Sequence, residues 1–75
     1  MTQKDREINQ GMVNMRACTR NIEMENQNTV YAFLKITKRT INDYPEDTKS
    51  LREEYDMNLK LYKEKFGKLE EELLI

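Results

Sequence analysis

The sequence contains no histidine, no tryptophan, one cysteine, one proline and two glycines in 75 residues. Each shortage closes off a kind of chemistry. Without histidine, the commonest general acid–base at neutral pH is missing. One cysteine cannot close an internal disulfide, and without histidine it cannot complete a zinc site. No Gly-rich phosphate loop is present, and paired carboxylates need a concave, desolvated setting that a thin helical chain does not offer. The sequence therefore predicts no enzyme, no catalytic residue, no cofactor, no metal and no small-molecule substrate. No apolar run approaches the ~18 residues of a membrane span. The opening MTQKDREINQ lacks the apolar stretch of a secretory signal. A lone Cys18 suits a reducing compartment, so the expected location is intracellular, cytoplasmic or nuclear.

What is present is apolar and charged in nearly equal shares, 37% and 36%. At such low Gly and Pro content that mixture favours long helices. The mean hydropathy of −0.95 is very polar, but the apolar residues are periodic rather than scattered, which argues against disorder. One domain, residues 1–75, is expected. A chain this short rarely draws more than ~3–5 kcal/mol from one core. With neither disulfide nor metal to help, oligomerisation is expected to complete the core, with itself or with a partner helix. Net charge is −1 overall, +2 over residues 1–43 and −3 over residues 44–75. Two such halves laid side by side fit mildly in charge.

From Lys4 to Ile41 only Gly11 opposes a helix, at a cost of about 1 kcal/mol relative to alanine. The first stripe, Ile8, Met12, Met15, Thr19, Ile22, Asn26, alternates steps of four and three as a coiled-coil seam does. After a stutter it resumes at Val30, Phe33, Leu34, Thr37, Ile41 and Tyr44. Thr19 and Asn26 either fix register or mark a weakly packed half. Asn14, Asn21 and Asn28, seven apart, are assigned to a solvated outer face. The segment ENQNT is the weak point, because Asn28 or Thr29 suits an N-cap. A break at residues 26–29 would give a three-helix bundle.

Pro45 followed by Glu46 and Asp47 predicts a helix start, since proline is tolerated in the first turn and acids suit a helix N-terminus. Asp43 and Glu46 have capping-box-like spacing. The second helix carries the cleaner seam, Tyr55, Leu59, Tyr62, Phe66, Leu69, Leu73. Gly67 within it is assigned an exposed, harmless cost rather than a close approach of a neighbouring helix. The expected architecture is thus an all-α antiparallel hairpin, coiled-coil-like: a helix over about 4–41, a turn at 42–44 within a 42–45 junction, and a helix over about 45–74. Helices of about 57 and 45 Å leave Val13, Tyr31, Leu61 and the tail Leu73-Leu74-Ile75 wet, and a four-helix bundle from two hairpins would cover them.

Association is assigned to Phe33, Leu34, Ile41, Tyr55, Leu59, Tyr62, Phe66, Leu69 and Leu73. An aspartate at Leu59 or Phe66 is expected to dissolve the assembly by burying an unpaired charge. The basic residues Lys35, Lys38 and Arg39, with Arg16 and Arg20 upstream and Tyr31 and Phe33 as aromatic neighbours, are candidate phosphate contacts. Nucleic-acid binding is the lesser expectation, because the chain as a whole is slightly acidic. Cys18 beside Arg16 and Arg20 is assigned to the flank of a seam rather than to reactive chemistry.

Two resemblances add to this. In layout, the charged hairpin resembles the small plasmid copy-number control proteins that dimerise into a four-helix bundle and bind paired RNA loops, although no motif is shared. The stretch YDMNLKLYKEKFGKLEEEL, residues 55–73, resembles the last helix of the N-terminal helical bundle in some vesicle-fusion SNARE proteins over about a quarter of the chain. The second resemblance implies a trafficking interaction module. The function expected first is a non-enzymatic coiled-coil interaction module, a small scaffold or tether subunit of a multi-protein assembly. The alternatives are a hairpin regulator binding nucleic acid through its basic face, and the SNARE-N-terminal-like module.

Overall fold

The segment ENQNT splits the first apolar stripe into two helices. In the computed structural model, which describes all 75 residues, the elements are α1 (Gln3–Glu23), α2 (Gln27–Asp43), α3 (Lys49–Phe66) and a 3₁₀ turn (Glu71–Leu73). The protein is all-helical, and the three-helix arrangement replaces the continuous helix expected over 4–41. Its longest dimension is 36 Å, far short of the about 57 Å that such a helix requires.

The break is built from backbone hydrogen bonds. Asn26 N–H donates to Asn21 O at 3.0 Å and Glu25 N–H to Ile22 O at 3.1 Å. These are the paired six-to-one and five-to-two bonds of a Schellman stop, with Glu25 in the left-handed slot at φ 62°. Glycine usually fills that slot, because a Cβ there costs about 1–2 kcal/mol. Asn26, placed in the seam by spacing, is instead an exposed N-cap of α2, two or three residues before the caps expected at Asn28 or Thr29.

Pro45 turns the chain without starting the helix. Tyr44–Asp47 forms a turn closed by Asp47 N–H donating to Tyr44 O at 3.2 Å, and proline's fixed φ suits the second turn position. The residue before a proline is pushed out of the α region, and Tyr44 accordingly sits at φ −133°. Thr48, 2% exposed, then donates its hydroxyl to Tyr44 O at 2.7 Å. The α3 helix starts at Lys49, four residues later than expected, and the turn occupies 44–48 rather than 42–44.

The second helix also stops early. Gly67 adopts φ 72° with open space around it, so it is a left-handed C-cap and not a tolerated defect inside a helix reaching residue 74. Beyond it the chain reverses. Leu73, expected to lie wet in the tail, is fully buried.

Eleven buried residues form the core: Met15, Cys18, Ile22, Val30, Leu34, Ile41, Leu51, Tyr55, Leu59, Tyr62 and Leu73. Gly11 is buried where α1 meets α3. A Cβ there would stand 2.8 Å from Leu51 Cδ2 and 3.0 Å from Cδ1, and Leu51 is itself 1% exposed. Gly11 therefore permits close approach rather than being a mere helix cost. Gly11→Leu is expected to destabilise the fold by about 1–3 kcal/mol through overpacking. Gly11→Ala is expected to forfeit the ~1 kcal/mol that alanine gains at an open helical site. Chemical denaturation of the two variants checks both; a Gly11→Ala variant stabilised by the full amount would contradict the packing argument.

Candidate interaction surfaces

The expected seam residues fall into two groups. Leu34, Ile41, Tyr55, Leu59, Tyr62 and Leu73 lie in the core of this one chain, and Phe33, Phe66 and Leu69 are half-buried against it. The Tyr62 and Phe66 rings meet edge-on, centroids 5.0 Å apart. The part of this cluster that reaches the surface lies along α2 and α3, where the C-terminal tail crosses.

Three side chains hold that tail. Tyr55 donates its hydroxyl to Leu73 O, and Lys38 Nζ donates to Glu72 O. Tyr62 donates to Glu70 Oε1 at 3.1 Å and accepts from Gln27 Nε2 at 3.2 Å. Both tyrosines thus find polar partners at the rim while their rings stay buried. Glu70 Oε2 is buried without a hydrogen-bond partner.

The basic trio gathers beside this tail. Lys35, Lys38 and Arg39 share a groove of about 340 Å³ with Asn42, Asp43 and Glu72. Lys35 Nζ also sits 5.4 Å from the Tyr31 ring centroid. Arg16 and Arg20 lie exposed on α1 and line no part of that groove. The five basic residues are therefore not one patch, and the local field is mixed in sign.

A second groove, about 480 Å³, runs between α1 and α2. Glu7, Gln10 and Asn14 line it from one side, and Ile36, Arg39 and Asp43 from the other. Asn14 is 8% exposed and accepts from Gln10 Nε2 at 2.9 Å, so it does not belong to a solvated face. Asn21 is half-buried and Asn28 exposed. Ile36 stands 54% exposed in the groove wall, as Val13 and Met57 do elsewhere, at 56% and 53%.

One polar cluster inside the core escaped sequence reasoning. Asn58, fully buried, donates Nδ2 to Glu54 O at 2.9 Å and reaches Met15 O at 3.4 Å. The Thr19 hydroxyl donates to its Oδ1 at 2.8 Å. Thr19 therefore does tie α1 to α3. The available clue was the position of Asn58, three residues after Tyr55 and four before Tyr62, on the apolar face of α3.

Burial pushes the Cys18 thiol up to about 12 from 9.0, so it is inert in place. Burial also raises the Tyr55 and Tyr62 phenols above 10.0. Groups whose pKa is higher folded than unfolded stabilise the fold fully below their ordinary values, and that contribution drains away as pH climbs toward the folded ones. The melting temperature is expected to hold level up to about pH 9, then to fall, more steeply past 10, where the tyrosines join. Thermal denaturation across this range tests it. Tyr55→Phe is expected to flatten the decline above pH 10, and an unchanged slope in that variant would contradict the assignment.

No helix is long and apolar enough to cross a membrane. Comparison with protein-family models, with curated proteins and with solved structures finds no match to this chain.

Proposed function

We propose that the chain is a non-enzymatic protein–protein interaction module, a small scaffold or tether subunit within a larger assembly. The observation that carries this reading is the seating of Leu73. Three helices leave a socket that is filled by a leucine from a 3₁₀ turn, fully buried, and Tyr55, Lys38 and Tyr62 hold the segment that carries it. A bundle that completes its core by accepting a short stretch of chain is built to bind polypeptide.

A photo-crosslinking residue in place of Lys35, beside the tail, and another in place of Arg16, on the outer face of α1, test the proposal in cells expressing the chain. Discrete protein adducts are expected from position 35 and not from position 16. Nucleic-acid adducts from position 35, or the same adducts from both positions, would overturn it.

A further inference from the structure

We propose that the groove along α2 and α3 is a docking site for a short acidic segment carrying a leucine, and that the chain's own tail, Lys68–Ile75, occupies it as a built-in competitor. This rests on the interaction-module reading and gives that module its partner chemistry and its regulation.

The occupant's chemistry is displayed by the tail itself. Leu73 supplies the apolar anchor, wholly removed from water. The hydrogen bonds from Tyr55 and Lys38 go to the backbone carbonyls of Leu73 and Glu72, which any peptide supplies, so they fix the path of the chain without reading its sequence. Discrimination falls to the leucine socket and to charge. The tail carries Glu70, Glu71 and Glu72, and the α2 side of the groove beside it presents Lys35, Lys38 and Arg39 against the one carboxylate of Asp43, with Asn42 between. A partner segment with a leucine preceded by acidic residues matches both.

The tail is also a replaceable occupant. It joins α3 through Gly67, left-handed and free of neighbours, a joint that can swing without disturbing the helix. None of its carboxylates closes an ion pair; the three in the chain are Lys4–Asp47, Arg52–Asp56 and Lys65–Glu25. Glu70 Oε2 is buried without a partner, a desolvation cost that a segment of slightly different spacing avoids. Leu74 and Ile75 remain about half exposed. Such a tail, tethered in place, lowers the apparent affinity for a free segment by the fraction of time the socket is empty.

The test uses the 75-residue chain and a fluorescent synthetic peptide, GKLEEELLI, equivalent to residues 67–75, with anisotropy as the readout. Leu73→Asp empties the socket in cis and is expected to bind the peptide at least about tenfold more tightly than the unmodified chain. Adding Lys38→Glu and Arg39→Glu is expected to reverse that gain, and a peptide with alanine at the position of Leu73 is expected not to bind. If Leu73→Asp loses its helicity, Leu73→Ala carries the test. It shortens only the tail's own anchor and leaves every groove residue in place, and a smaller gain in the same direction is expected. Peptide affinity equal to that of the unmodified chain in a folded variant, or equal binding of a scrambled peptide, would overturn the proposal. Such a failure would leave position-specific protein crosslinks intact, whereas absence of those crosslinks would remove the interaction-module reading itself.

Discussion

Tyr55→Ala is expected to lose about 3–5 kcal/mol of stability and to leave the chain largely unfolded at room temperature. A chain of this length holds about 4–11 kcal/mol in all, and small cores sit at the lower end. Tyr55 and Tyr62 are the largest side chains with no exposure. The Tyr55 ring lies in the core cluster that α1, α2, α3 and the tail share, and its hydroxyl holds the Leu73 carbonyl. Truncation therefore opens a cavity at the centre and releases the tail that closes one side. Tyr55→Phe isolates the second effect, with an expected loss of about 1 kcal/mol for one hydrogen bond. Urea denaturation followed by circular dichroism measures both. A Tyr55→Ala variant as stable as Tyr55→Phe would show that the ring is not central.

Asn58→Asp is expected to be nearly as damaging although it changes almost no volume. The side chain has no exposure and gives its amide protons to Glu54 O and Met15 O. A carboxylate would turn those contacts into oxygen against oxygen and bury a charge with only the Thr19 hydroxyl to donate. Leaving a charge buried and uncompensated costs about 3–5 kcal/mol. Burial raises the folded pKa of the new acid above its ordinary ~3.9. The folded state then holds the extra proton, so stability is recovered below that value and lost as pH rises through the folded pKa. Asn58→Leu, which removes both charge and polar group, is expected to fall much closer to neutral. Denaturation of both variants at neutral and acid pH checks the pattern. An Asn58→Asp chain equally stable at both would mean that the site is wet.

The all-helical class was legible because period and composition agree, and the neighbourhood of Pro45 was legible as a turn. Element ends were not, and each miss has a local cause. The break between α1 and α2 was legible as the alternative at residues 26–29, from the capping residues of ENQNT, but its left-handed stop at Glu25 was not, because propensity disfavours that residue there. At the other end, Leu69 and Leu73 continue the four-three spacing of Tyr55, Leu59, Tyr62 and Phe66. A spacing argument extends the helix through both, although Gly67 was the sign that it should not. Leu73 reaches the core anyway, from a 3₁₀ turn, which periodicity cannot anticipate. Of the candidate surface, the sequence offered Tyr55, Tyr62 and Leu73 as one helical seam and the α2 basic residues as a separate feature. Their meeting depends on the tail folding back, a tertiary event with no local signature. Gly11 and Asn58 were hidden for the same reason, since the significance of each lies in a neighbour from another helix.

The central question is whether one chain closes its own core, with its own tail seated along α2 and α3. Sedimentation equilibrium over a wide concentration range, with helicity followed in parallel, tests this most directly. Helicity that stays constant down to concentrations where only the single chain sediments is the predicted result. Helicity that falls on dilution together with mass would contradict it, because Tyr55, Leu59 and Tyr62 would then be packing between chains rather than within one.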